Sequence, residues 1–309
     1  MKRALLLLIL LGVGVTTPAS AQDLINGALT ALGGADALMQ VKTLVVKGTV
    51  QYWEPEQSMV AGGEPRHVAD ATFETTGDFM AHMVRVDWVK NFLYPAPRTF
   101  QFSEIVTPEA GYVIGIDSNG RNKQNRETNP PGHAMSGLRF TATQRELRRA
   151  SPALLIEMRS HPDKVSTSPA ITIGSVSYPV LTYQAGPYTF IVMFDPQTHL
   201  PARIRTLDYD NVWGDSTYDL TFADWRKLGG VQIATSQHYE LNGTVVADAQ
   251  LGFVTDLWSP GAAPLPDKIN PALAAVVNTV KKASITPLKF AGGHGATGDY
   301  APLAALAGN

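Results

Sequence analysis

The 309-residue sequence contains no cysteine. That removes thiol nucleophiles, cysteine-ligated zinc, iron–sulfur clusters and disulfides together. It also leaves no cysteine behind the N-terminal apolar run to carry a lipid anchor. Charge is scarce as well. Charged residues make up 17 %, with 25 Lys and Arg against 27 Asp and Glu. A chain with no basic excess lacks the footprint that nucleic acid or an anionic membrane surface selects. Serine occurs in no G-x-S-x-G elbow, so nothing marks a serine hydrolase. No apolar run reaches the roughly 20 residues of a comfortable membrane span.

The N-terminus is instead built like an export signal. Lys2 and Arg3 precede an apolar core from Ala4 to Val15, and Ala19-Ser20-Ala21 is a small-x-small cleavage site. Residues 1–21 are expected to be removed, leaving a mature chain from Gln22 with 23 basic and 27 acidic residues, a net charge of −4. The expected location is periplasmic or secreted, with no stable membrane span after cleavage.

Glycine (27) and proline (21) are plentiful, which suits many short strands joined by turns. Asp23 to Gln40 has helical spacing broken at Gly33-Gly34. From Val41 the period becomes two, with Val46, Gly48 and Val50 alternating against Val45, Lys47 and Thr49. Glu54 to Val68 reads as a loop. Strands follow at 71–76, 79–88, 100–106 and 112–117. Residues 121–137 read as an exposed polar loop. Residues 141–159 read as a helical insert, with a capping box at Thr143 and Glu146 and a division at Ser151-Pro152. Strands return at 171–173, 178–183, 188–194, 200–209, 216–225, 234–241 and 244–254, with Asn242-Gly243 as a two-residue hairpin turn. Residues 259–271 form a proline-rich linker. A helix at 272–282, a short strand and a small last helix make up an α/β tail. The expectation is a mainly β protein with helices (α+β), one curved antiparallel half-barrel under a helical lid, a sandwich being the other layered solution.

Two phrases, GGADALMQVKTLVVKGTV and FDPQTHLPARIRTLDYD, together with the element order, resemble the LolA/LolB-like periplasmic lipoprotein-carrier superfamily over residues 22–258. The resemblance implies an unclosed barrel lidded by its helical insert, with a concave face that holds acyl chains or another apolar ligand. The tail phrase ITPLKFAGGHGATGDYAPLAAL, within 272–309, is similar to the closing strand of the metallo-β-lactamase fold, where His294 matches the last zinc-binding histidine. The family's H-x-H-x-D-H motif has no counterpart among His67, His82, His133, His161, His199, His238 and His294. A zinc site needs three or four ligands in fixed geometry, so no catalytic residue and no cofactor is expected, His294 being the lone metal candidate and the reading of it a relic.

The sequence therefore points to a non-catalytic binding or carrier domain for an apolar small molecule or lipid. The alternative is a truncated or degenerate zinc hydrolase of the metallo-β-lactamase class, with the front domain accessory and zinc as cofactor. A third reading is an interaction domain that adds a partner's strand to an exposed sheet edge. The candidate ligand-binding residues are the aromatics and methionine of the strands: Trp53, Trp88, Phe92, Phe100, Phe102, Tyr188, Phe190 and Met193. Asp208, Asp210, Asp215 and Asp219 read as a solvated hairpin tip, and Arg145, Arg148 and Arg149 as a solvated basic helix face.

Overall fold

The computed structural model describes residues 20–41, 43–78, 82–117, 132–210, 212–228 and 230–253. Residues 1–19 of the expected signal segment, the expected linker and tail, and His294 lie outside the described residues, while Ser20 and Ala21, the last two residues of that expected segment, are described.

Two short helices lead the chain. α1 (Ala21–Ala31) starts in a capping box: the Ser20 hydroxyl accepts from the Asp23 N–H while the Asp23 carboxylate accepts from Ser20. Its apolar stripe, Ile25, Ala28 and Leu29, is buried. α2 (Ala35–Gln40) follows the expected Gly33-Gly34 break. That break is a docking joint. Gly33 has φ +110°, and a Cβ there would lie 2.3 Å from the Gly230 carbonyl oxygen, a place that excludes every other residue.

All strands of the described residues join one antiparallel sheet. They are β1 (Thr43–Glu54), β2 (Arg66–Asp78), β3 (Met83–Phe92), β4 (Arg98–Val106), β5 (Gly111–Ile116), β6 (Gly132–Ala134), β7 (Val165–Ile173), β8 (Val176–Ala185), β9 (Tyr188–Phe194), β10 (Pro201–Asp210), β11 (Gly214–Leu228), β12 (Val231–Leu241) and β13 (Thr244–Phe253). The spatial order is β6-β5-β4-β3-β2-β1-β13-β12-β11-β10-β9-β8-β7. The sheet therefore runs as two meanders joined where β13 returns to β1, and it does not close. This is the mainly β, helix-lidded half-barrel the sequence led one to expect.

Two helices interrupt the sheet between β6 and β7: α3 (Gly137–Ala150) and α4 (Leu154–Ser160). The insert begins earlier than its apolar spacing predicted. Ser136, not Thr143, is the N-cap, accepting from the Arg139 N–H at 3.2 Å. Ser151 closes α3 and also takes the Ala153 N–H at 3.1 Å, so Pro152 lies between the helices and Ala153 is the cap of α4. The first strand group holds six strands rather than the five read from the sequence. β6 lies inside the stretch read as a loop, and β2 begins at Arg66 in another.

The turns follow local chemistry. Asn242 and Gly243 both adopt positive φ, 50° and 81°, as a twisted two-residue hairpin requires. In the β9–β10 turn the Asp195 carboxylate accepts from the Gln197 and Thr198 N–H groups at 2.9 and 2.7 Å. Those bonds, that from Thr198 foremost, hold its carboxyl below the ordinary range against the opposing effect of burial.

The main core packs α1, α2 and α4 on the β8–β10 part of the sheet. Ile25, Leu29, Leu38, Leu154, Met158, Leu181, Phe190 and Phe194 are its buried centre. A smaller cluster, Val106, Val113 and Met135, lies beneath the start of α3 with Phe102, Phe140 and Leu147 against it. Between the two the helices do not fill the concavity.

Candidate functional site: a lidded apolar cavity

The hollow left on the concave face has a volume of about 520 Å³. Strand alternation builds its floor. On β1 the inward row is Val46, Gly48, Val50 and Tyr52; the facing rows are Phe73 and Thr75 on β2, and Val86 and Trp88 on β3. Ala247, Ala249 and Leu251 of β13 continue the wall, and Tyr239, Phe222 and Ile204 carry it to the far strands. Gly48 is glycine for a steric reason. A Cβ there would meet the Phe73 ring at 2.6 Å and the Gln250 carbonyl at 2.5 Å. The missing side chain lets the Phe73 ring lie across β1.

α3 and α4 form the roof, with Ala142, Thr143, Leu147, Ala150, Pro152, Leu154 and Leu155 turned to the hollow. Polar contacts fasten α3 on both sides. Toward β4 and β5, Arg139 donates to Glu104 Oε1 through Nε and Nη2, at 3.1 and 2.7 Å, and to Asp117 Oδ2 at 2.6 Å. Trp88 Nε1 donates to the other Glu104 oxygen at 3.0 Å. Toward β10 and β11, Arg145 pairs with Asp208, and Arg149 donates to the Tyr218 carbonyl at 2.8 Å while pairing with Glu146. Gln144 donates to the Thr107 carbonyl at 2.9 Å and accepts from the Tyr188 hydroxyl at 3.2 Å.

The arginine face is thus no solvated stripe. Arg149 is 2 % exposed, and Arg148 pairs with Glu157. The aspartates divide in the same way. Asp210 is buried and accepts from the N–H groups of Val212 and Trp213. Asp219 is buried between Arg203 and Arg205. Asp208 tethers the roof.

The sequence-chosen residues fall in four places. Trp88 lines the cavity. Phe92 and Phe100 meet edge to face, 5.5 Å apart, farther along the same inward rows, and Phe102 stacks on Trp88 while packing under α3. Tyr188, Phe190 and Met193 are buried on β9, the first two in the main core, with the Tyr188 ring beside Arg148 of α3. Trp53 packs against His67, ring centroids 5.3 Å apart, beyond a register shift that separates it from Tyr52. Tyr52 is the neighbour that lines the cavity. Its parity with Val46 and Val50 was the available signal, and the larger ring of Trp53 drew attention from it. Tyr239, Leu251 and Phe222 also line the hollow and carried no signal beyond their place on late strands.

Burial sets the electrostatics of this interior. It pushes the Tyr239 phenol up to about 12 and raises that of Tyr52 further, so both stay neutral. Burial draws the Lys90 ammonium down to about 8, against a smaller opposing pull from Glu104. Lys90 Nζ rests 3.6 Å from the Tyr52 ring centroid and 5.2 Å from that of Phe92. Among the described residues no three histidines or carboxylates are placed to hold a metal ion.

No family model matches the chain, and no curated protein matches it either. Solved structures do. A LolA superfamily protein from Nitrosomonas europaea is similar at 10 % identity, covering 76 % of this chain and 92 % of the other, with a TM-score of 0.39. A DUF1329 family protein from Desulfovibrio piger is similar at 11 % identity, covering 78 % and 93 %, with a TM-score of 0.42. An uncharacterized conserved protein from Thermus thermophilus is similar at 10 % identity, covering 81 % and 92 %, with a TM-score of 0.26.

Proposed function

We propose that this chain is an exported binding or carrier domain that holds an apolar molecule, a lipid or acyl chain, beneath the α3–α4 roof. One observation carries the reading: a cavity of about 520 Å³ walled by valine, leucine, alanine and aromatic side chains, under a helical cover fixed at both margins. That volume falls within the span of small-ligand sites, roughly 300–1,000 Å³. Taking ~400 Å² of ligand hydrocarbon out of water contributes about 10 kcal/mol. After the cost of immobilising the ligand, micromolar affinity remains. Such binding depends on shape and area, so no catalytic residue is needed.

The strand-addition reading gains less support. The edge strand β7 carries Pro169 and a register shift between Ser168 and Ile171, features that blunt an edge against pairing.

The test is a titration with the neutral fluorophore N-phenyl-1-naphthylamine. The wild-type chain is expected to bind it at micromolar concentration and to release it to long-chain competitors. Ala249 is buried in the cavity wall, and Ala249→Phe is expected to weaken binding at least about tenfold. The melting temperature should hold, because the new ring enters the hollow. Wild-type protein that leaves the fluorophore dark, or an Ala249→Phe variant that binds it equally well, would refute the proposal.

A further inference from the structure

The acidic groups around the cavity are engaged, and one cation is not. Glu104 gives both oxygens to Arg139 and Trp88. Glu146 pairs with Arg145 and Arg149, Asp117 with Arg139, and Asp208 with Arg145. Lys90 forms no ion pair and no hydrogen bond among the described residues; its ammonium touches ring faces alone. It stands on the inward row of β3, two residues beyond the cavity-lining Trp88 and directly across the ladder from Phe100. The ring that carries its ammonium, Tyr52, is itself part of the cavity wall.

Lys90 is partly buried, and drawing an ammonium from water with no ion pair and only the weaker pull of Glu104 to offset it is costly. Stacking on Tyr52 and Phe92 offsets part of that cost, since a desolvated cation–π contact contributes roughly 2 kcal/mol. A ligand oxyanion would offset more through a charge-assisted hydrogen bond. Resting on the binding function proposed above, we infer that the occupant is a single-chain anionic amphiphile, its oxyanion seated on Lys90 beside Tyr52 and its hydrocarbon chain laid along Val50, Phe73, Trp88 and Leu251. The lowered proton affinity of Lys90 agrees with this geometry, because a bound anion favours the charged form and raises that affinity again.

The experiment displaces N-phenyl-1-naphthylamine from the full chain with dodecanoate, dodecyl phosphate, 1-dodecanol and dodecyltrimethylammonium. The wild type is expected to take dodecanoate or dodecyl phosphate about tenfold or more tighter than dodecanol, with the quaternary amine weakest. The two anions between them tell a carboxylate site from a phosphate site. Lys90→Met is expected to lose that preference while binding the fluorophore and dodecanol within about twofold of wild type, and Lys90→Arg to keep it. Fluorophore binding by Lys90→Met also shows that the variant is folded. Equal affinity for anion and alcohol in the wild type, or a preference that survives in Lys90→Met, overturns the headgroup assignment and leaves the cavity reading intact. Failure of the wild type to bind the fluorophore or any chain overturns both.

Discussion

Asp219 shows how single residues carry this fold. It is 3 % exposed. It accepts from Arg205 Nε at 2.7 Å and Arg203 Nη1 at 2.7 Å, and Arg203 reaches Glu240 at 2.7 Å as well. Burial alone would raise its carboxyl; the hydrogen bonds and charges of Arg205 and Arg203 outweigh that and leave it below its ordinary 3.8. A depressed carboxyl stabilises the fold above the unfolded-state value and ceases to do so as pH falls through the folded one. Asp219→Asn is therefore expected to lose about 2 kcal/mol at pH 7, discounted for the partly exposed arginines. The deficit should shrink as pH drops below about 3.8. Urea midpoints of both proteins at pH 7 and pH 3 measure it; a deficit unchanged between the two pH values would contradict the assignment. The sequence could not separate Asp219 from Asp215. Both lie near one hairpin tip, and which of them meets Arg205 depends on the β10–β11 register, Arg205 opposite Asp219, which local composition does not set.

At the scale of elements, period-two alternation exposed the strands wherever branched and aromatic residues were dense. It failed at their ends. β11 runs from Gly214 to Leu228, beyond its apolar stretch, because neighbouring strands supply the hydrogen bonds that propensity there does not favour. β6 is three residues long and has no period to detect. The roof helix was legible from its leucines, yet its role lies in its arginines, which meet partners 22 to 69 positions away. Arg139 is the tie on the β4–β5 side. Arg139→Ala leaves Glu104 and Asp117 without that cation, and the amides of α3 are expected to exchange about tenfold faster or more, each tenfold being about 1.4 kcal/mol of opening free energy. The amides of β8 and β9 should be unchanged. Exchange that accelerates equally throughout the sheet would show that Arg139 supports the whole fold and is no local fastening of the roof.

Across the whole molecule the sheet is open, and the helices cover its concave face unevenly. α1, α2 and α4 fill the β8–β10 end with a buried apolar core. Over β1–β3 and β12–β13 the roof leaves a hollow. The proposed function rests on that difference. The sequence announced the half-barrel through element order, and it announced an apolar interior through its strand aromatics. It could not say which aromatics fill the core and which border the hollow, because that depends on where α3 lands. Phe190 lies in the main core with the α4 side chains, Tyr188 meets Gln144 and Arg148 of α3, and Trp88 and Tyr52 face the hollow. No helix among the described residues is long and apolar enough to cross a membrane, and the tail phrase with His294 lies outside the described residues.

Native mass spectrometry of the chain purified from its own source organism addresses the central claim most directly. A discrete added mass of one long-chain molecule per chain is predicted, removed by organic extraction and restored by adding back the extract. A bare polypeptide mass, together with no uptake from a total lipid extract, would contradict the claim that this hollow is a binding site.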